Sequence, residues 1–205
     1  MKPAPFDYIA PTTIEEACTV LAEAGGGATV LAGGQTLMPL LNLRMSQPFI
    51  VLDINRIAAM KGVARSGGAM RVGPATRQCE ALDSELLAAG LPVLVQALGH
   101  VGHYQTRNRG TVGGSIANAD PAACYPAAIL GLGATITTNQ RTIAGDSFFT
   151  GLYETALKPG ELVVSVSFPD AARAAYIKYK QPASRFALVG VFVSQGSAGV
   201  RLAVT

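Results

Sequence analysis

The stretch Leu31-Ala32-Gly33-Gly34-Gln35-Thr36, set between a short apolar run and a helical one, decides how this chain is read. It has a counterpart downstream in Arg109-Gly110-Thr111-Val112-Gly113-Gly114-Ser115. Glycine tolerates positive φ and close backbone approach, so successive N–H groups in such turns can converge on one anionic oxygen, with Thr and Ser hydroxyls as further donors. Each turn suits a phosphoryl group, and two separate cradles suit a diphosphate better than a monophosphate. Neither turn carries the Lys of a Walker A loop, and neither has the G-x-G-x-x-G spacing of a Rossmann unit. Either Gly-Gly pair alone reads equally well as a tight turn, and their joint occurrence favours the cradle.

Working outward, residues 6–9 read as an extended strand and residues 14–24 as a helix. Thr13 and Glu16 match a capping box there, and Ile14, Ala17, Cys18 and Leu21 share one helical face. Gly25 to Gly27 ends the helix, and residues 28–32 form a buried strand running into the first turn. A helix over 37–44 and a strand over 49–54 complete the order strand, helix, strand, helix, strand. Residues 63–65 and 70–73 flank Gly67-Gly68 as a hairpin. Helical spacing over 82–89 and 91–100 leads to the second glycine segment. A helix over 122–132 and strands over 134–138, 141–143 and 162–168 follow, with Asp146-Ser147-Phe148-Phe149 in a connecting loop. The class is mixed α+β. Residues 176–180 and 187–194 read as the first elements of a further domain that stops in mid-strand at 201–205, so truncation is expected.

The composition narrows the function. With 205 residues, 49% hydrophobic and 14% charged, the chain can bury a substantial core. Its net charge of +3 comes from 16 basic and 13 acidic residues without a clustered basic face, so nucleic acid is not indicated. Cys18, Cys79 and Cys124 lie far apart and form no CxxC, and His100 and His103 are the only histidines. The chain therefore cannot supply a structural zinc site or a four-cysteine iron–sulfur cluster by itself. His100 and His103 are three apart and could share a helical face, but no carboxylate accompanies them and metal binding is not expected. Without a secretory leader or an apolar run of membrane-spanning length, a soluble, cytoplasmic protein with no membrane span is expected. Asp53 reads as a turn cap. Arg107 and Arg109 either favour an anion electrostatically or anchor their loop.

Taken in order, the motifs resemble the FAD-binding medium subunit of the molybdenum hydroxylases, the xanthine dehydrogenase and carbon monoxide dehydrogenase family. The resemblance runs through Phe6-Asp7-Tyr8, Ala32-Gly33-Gly34-Gln35-Thr36-Leu37-Met38-Pro39, Val51-Leu52-Asp53-Ile54, Arg107 to Ser115, Ala119-Asp120-Pro121-Ala122-Ala123 and Gly160-Glu161-Leu162. It implies a two-lobed α+β FAD-binding domain of the PCMH/VAO type over residues 1–175. A small lobe would cover 1–60 and a large lobe 61–175, with an incomplete C-terminal flavoprotein domain over 176–205.

It also implies pyrophosphate contacts from Ala32, Gly33, Gly34, Gln35 and Thr36 and from Thr111, Gly113, Gly114 and Ser115. Leu31 and Leu37 would flank the flavin or its ribityl chain, Val163 would approach the isoalloxazine, and Lys180 would lie near its polar edge. A cation there would stabilise anionic reduced flavin, although Lys180 reads equally well as a solvated strand lysine. No residue of this chain is expected to act as a catalytic acid, base or nucleophile. [2Fe-2S] clusters and a molybdopterin cofactor are implied in a small iron–sulfur subunit and a large molybdopterin subunit, joined as a dimer of heterotrimers. Electrons would pass from the clusters through FAD to NAD, oxygen, a quinone or a cytochrome.

One position departs from the family pattern. Cys124 stands where an acidic residue commonly contacts the adenosine half of FAD, and a thiol is a poor acceptor for such bonds. A stand-alone flavoprotein of the same fold and an assembly subunit without functional FAD remain as alternatives.

Overall fold

A computed structural model describes residues 1–171, 173–197 and 199–205, which include every candidate site residue. The small lobe follows the expected order: β1 (Asp7–Ile9), α1 (Ile14–Glu23), β2 (Ala28–Leu31), α2 (Leu37–Asn42) and β3 (Ile50–Asp53). Its three strands pair in parallel in the order β1-β3-β2. Helix α1 begins where its capping box directs. Thr13 Oγ1 accepts from Glu16 N at 3.2 Å, and the Glu16 carboxylate accepts from Thr12 N at 2.9 Å and Thr13 N at 3.4 Å. Because β2 and β3 run the same way, their carboxyl ends emerge on one edge, the usual ligand side of such a sheet.

Two 3-10 turns, Ile54–Arg56 and Ala58–Met60, carry the chain into the large lobe. There β4 (Val63–Ser66), β5 (Ala69–Val72), β6 (Thr135–Thr138), β7 (Thr142–Ala144) and β10 (Val163–Pro169) form an antiparallel sheet in the order β4-β5-β10-β6-β7. A small hairpin of β8 (Phe149–Gly151) and β9 (Glu154–Thr155) occupies part of the expected connecting loop. The helices are α3 (Gln78–Leu82), α4 (Glu85–Gly90), α5 (Pro92–Gly99), α6 (Tyr104–Arg109), α7 (Val112–Asn118) and α8 (Cys124–Leu132).

Three differences from the expected elements have local causes. The helix expected over 82–89 begins only at Glu85, because Ser84 Oγ accepts from Leu87 N at 3.2 Å and starts a new helix after α3. α6 lies outside the expected elements, since it buries no residue and shows no apolar stripe. The third is that Val112 to Ser115 is the opening of α7 rather than a free turn.

The last strands, β11 (Arg173–Lys180), β12 (Ala187–Gly196) and β13 (Gly199–Val204), form an antiparallel sheet. The expected boundary near residue 175 falls inside β11, and Tyr176, Phe192 and Ala203 share one core cluster with α5, α8 and β10. α8 explains this packing. It is apolar all round and buries Cys124 to Ile129, Gly131 and Leu132, so it must be enclosed by protein on every side. At Gly131 a Cβ would lie 2.3 Å from Phe192 Cδ1, so only glycine admits that ring. Ser194 Oγ then donates to Gly131 O at 2.6 Å. Burying a side chain such as Phe192 stabilises the fold by roughly 2–3 kcal/mol. A second, smaller core of Ala17, Leu21, Leu52, Ile54, Ile57 and Met60 takes in Ala75 and Leu162 and so joins the lobes.

Candidate functional site

The carboxyl ends of β2 and β3 open into a cleft of about 400 Å³. Leu31 to Gln35, Met38, Pro39, Asp53, Asn55 and Arg109 line it, so the first glycine loop is part of its wall. Gly34 adopts φ +73°, a region costly to side-chain-bearing residues, and this turns the loop toward the cleft. Among the described residues, the N–H groups of Gly33, Gly34, Gln35, Thr36 and Leu37 find no acceptor in the protein, and the Thr36 hydroxyl caps no helix. Five successive free donors, the first three lining the cleft together with Arg109, make a receptor for an anionic oxygen group.

The second glycine segment meets the first but differs from it. A Cβ on Gly33 would lie 2.6 Å from Arg109 O, 2.7 Å from Gly110 Cα and 3.0 Å from Thr111 N, so the two backbones pack directly. The amides of the second segment are engaged. Val112 N donates to Thr76 O at 3.0 Å, Gly113 N to Pro74 O at 2.8 Å, Gly114 N to Thr111 Oγ1 at 3.1 Å and Ser115 N to Thr111 O at 3.1 Å. The expectation that this segment is a turn cradling phosphate through successive amides is corrected on that point. Thr111 N, the Thr111 hydroxyl hydrogen and Ser115 Oγ are what it leaves to offer among the described residues. Its glycines serve close packing instead, since a Cβ on Gly113 would lie 2.3 Å from Pro74 Cβ.

A polar network ties these parts together. Tyr8 Oη donates to Asp53 Oδ2 at 2.5 Å. Asp53 Oδ1 accepts from Asn55 N at 2.8 Å, which confirms Asp53 as a turn cap. Asn55 Nδ2 donates to Ala32 O at 2.8 Å, and Asn55 Oδ1 accepts from Arg77 Nη2 at 2.6 Å. Arg77 Nη1 donates to Arg109 O. Burial opposes the charge on Asp53, but the hydrogen bonds from Tyr8 and Asn55 and the charge of Arg77 outweigh it and hold the carboxyl below its ordinary range. Burial, followed by the neighbouring Arg109, pushes the Arg77 guanidinium down.

The motifs had not singled out Asn55 or Arg77. For Asn55 the available signal is a polar residue just past the carboxyl end of β3, where ligand sites form in open sheets.

The remaining candidates lie elsewhere. Val163 opens β10 and is buried in the large core, and Lys180 is exposed on β11; neither lines the cleft. Burial, followed by Lys180 and Lys178, lowers the pKa of His100. His100 follows α5 while His103 precedes α6, so they do not share a helical face. Arg107 anchors its loop through Val101 O at 2.9 Å, and Asp120 Oδ1 accepts from Ala122 N at 2.9 Å. Cys124 is buried, with Lys178 Nζ 3.4 Å from its sulfur, so it faces the core and not the cleft.

Residues 4–171 match the family described as FAD binding domain in molybdopterin dehydrogenase. Caffeine dehydrogenase subunit beta of Pseudomonas sp. (strain CBB1) is 40% identical over 82% of this chain and 59% of its own length. The medium chain of carbon monoxide dehydrogenase from Hydrogenophaga pseudoflava is 34% identical over 100% of this chain and 76% of its own. The chain thus spans less than two thirds of the first of these relatives. Two solved structures superpose over the whole chain. Carbon monoxide dehydrogenase from Hydrogenophaga pseudoflava, lacking the Mo-pyranopterin moiety, gives a TM-score of 0.94 at 35% identity and is covered over 76% of its chain. Quinoline 2-oxidoreductase from Pseudomonas putida 86 gives 0.93 at 32%, covered over 75%. These matches bear out the resemblance drawn from the motifs and the expected fold.

Proposed function

Because the chain belongs to the family of FAD binding domains in molybdopterin dehydrogenases, we propose that it is the flavin-carrying electron-transfer subunit of a molybdenum hydroxylase. The observation that carries this reading is the run of free amides from Gly33 to Leu37, of which Gly33, Gly34 and Gln35 line an open cleft together with Arg109. That donor set fits a diphosphate: it is backbone-built, opens onto the cleft at Gly33 to Gln35 and has Arg109 in the same lining. Ala32 to Thr36 hold one end of the pyrophosphate, and Thr111 and Ser115 supply hydroxyls from the second segment, with Gly113 and Gly114 forming its backbone there. Leu31 and Leu37 flank the ribityl side, and Val163 and Lys180 are assigned to the flavin ring.

Bound FAD supplies the ability to take up electrons singly and release them in pairs. The protein's part is to bind and orient it. Among the described residues, no side chain at the cleft is arranged as a nucleophile or as an acid–base pair, and flavin binding requires none. Substrate oxidation takes place in a large molybdopterin subunit, and a small subunit with [2Fe-2S] clusters relays electrons to this chain. The three assemble as a dimer of heterotrimers in the cytoplasm, and the final acceptor is NAD, oxygen, a quinone or a cytochrome. No helix among the described residues is long and apolar enough to cross a membrane.

The test is cofactor extraction and an absorbance spectrum on the complex purified from its native source, with iron and molybdenum quantified in the same sample. FAD together with both metals is the expected result. A complex without flavin would overturn the reading, and FAD on a lone chain without either metal would point to a stand-alone flavoprotein.

A further inference from the structure

Resting on the FAD reading above, we infer that Asn55 and Arg77 are positioning residues that set the separation of the two glycine segments and so preform the diphosphate site. The segments lie 73 or more positions apart in sequence and belong to different lobes, and their backbones meet at Gly33 and Arg109. A continuous chain of side-chain bonds spans that contact. Asn55 holds the first segment by donating to Ala32 O at 2.8 Å, and it also donates to Asp53 Oδ1 at 2.5 Å. Its amide oxygen accepts from Arg77 at 2.6 Å, and the same guanidinium holds the second segment through Arg109 O.

The arrangement is specific to these side chains. Asn55 must present both a donor edge to two oxygens and an acceptor to a guanidinium, which only an amide can do at that length. Arg77 must donate in two directions from one plane, which a lysine ammonium on its flexible stem does not reproduce. Arg109 O is the junction. It accepts from Arg77, and it is also the atom that a Cβ on Gly33 would strike at 2.6 Å. The glycine thus permits the approach and the guanidinium maintains it. Arg77 does not line the cleft, so it acts through the backbone it holds and not by touching the ligand. All these bonds are made within the protein alone, so the site is organised before ligand arrives.

The experiment compares wild type, Arg77→Lys and Asn55→Ala as full chains. It measures dissociation constants for FAD and for ADP, a probe carrying the diphosphate without the flavin, at two salt concentrations, together with the thermal midpoint of the flavin-free chain. Arg77→Lys keeps the charge and loses the two-way grip. The expected result is about tenfold or greater weakening in either variant, equal for FAD and ADP, with an unchanged salt dependence. The flavin-free midpoint should move by less than about 4 °C. Wild-type affinity in Arg77→Lys would overturn the inference, because charge alone would then suffice. So would weakening confined to FAD. Should Arg77→Lys fail to fold, Arg77→Gln, which keeps planar N–H donors at a residue outside the cleft, gives the same reading. A wild-type chain that binds neither ligand would overturn the FAD reading itself, and this inference with it.

Discussion

The two Gly-Gly segments have nearly the same composition and opposite hydrogen-bonding states. From Gly33 to Leu37 the amides have no acceptor among the described residues, whereas from Val112 to Ser115 every amide is bonded within the protein. The first segment leaves a parallel strand and turns through positive φ at Gly34, so its donors face open space. The second enters α7 with Thr111 as its cap, so its donors are absorbed by Thr76, Pro74 and Thr111. In the first, Gly34 serves a cradle and Gly33 a close backbone contact, whereas in the second both glycines serve close packing. The distinction can be broken by experiment, because a packing glycine should cost stability and a cradle glycine should cost affinity.

The largest effect is expected from Gly113→Ala. The new Cβ would lie 2.3 Å from Pro74 Cβ and 2.8 Å from Pro74 Cα, and neither atom can swing away. Overpacking against such rigid neighbours costs about 3 kcal/mol. Urea unfolding of the flavin-free chain should show a correspondingly lower midpoint at unchanged slope. If stability held and only FAD were lost, the second segment would be a cradle after all.

Glu161→Gln calibrates the same axis from outside the site. The Glu161 carboxylate is fully buried and accepts from Arg141 Nε at 2.7 Å and Nη2 at 3.0 Å, from Thr138 Oγ1 at 2.9 Å and from Lys158 N at 2.7 Å. Arg141 is the chief cause that lowers its pKa from 4.5 to about 2. A folded-state pKa depressed in this way contributes stability that is fully present above the unfolded value and is lost as pH falls toward 2. The variant should therefore be about 2 kcal/mol less stable at pH 7, and the gap should close between pH 4.5 and 2. FAD affinity per folded molecule should stay at the wild-type value, which titration at pH 7 would check.

How much of this was legible in the sequence follows from the range of each interaction. The β2-turn-α2 unit and the α1 capping box are local, and the residues announce them within a few positions. α6 escaped because it buries nothing, and the start of α4 was displaced because Ser84 restarts a helix within what read as one run. The state of the second segment depends on Pro74 and Thr76, more than thirty positions upstream, so its glycines looked identical to the first pair. The link among residues 32, 55, 77 and 109 is a product of the tertiary fold, and no spacing encodes it.

Gly34→Ala sharpens the other half of the comparison. The position holds φ +73°, and a Cβ would meet only side-chain atoms, Met38 Cγ at 3.1 Å and Leu31 Cδ1 at 3.3 Å. The main cost is thus backbone strain of about 1–2 kcal/mol. Relief of that strain would turn the loop's donors away, so FAD binding should weaken by roughly five- to thirtyfold, while the urea midpoint moves less than in Gly113→Ala. An alanine that bound FAD at full strength would show that the left-handed turn is not what aims these amides.

The smallest effect separates two versions of the second segment. Thr111 Oγ1 already accepts from Gly114 N, so replacing Thr111 would confuse capping with binding. Ser115 Oγ has no partner among the described residues, is only half-buried and sits one helical turn inside α7. Its removal should leave stability within about 0.5 kcal/mol of wild type. A single neutral hydrogen bond to a bound phosphate contributes about 1 kcal/mol, so Ser115→Ala should raise the FAD dissociation constant by about fivefold. Fluorescence titration resolves a change of that size. A fivefold loss would mean that the second segment supplies one hydroxyl grip in addition to its packing role. No change would leave it as a wall alone, with the diphosphate held from the side of Gly33 to Leu37 and by Arg109.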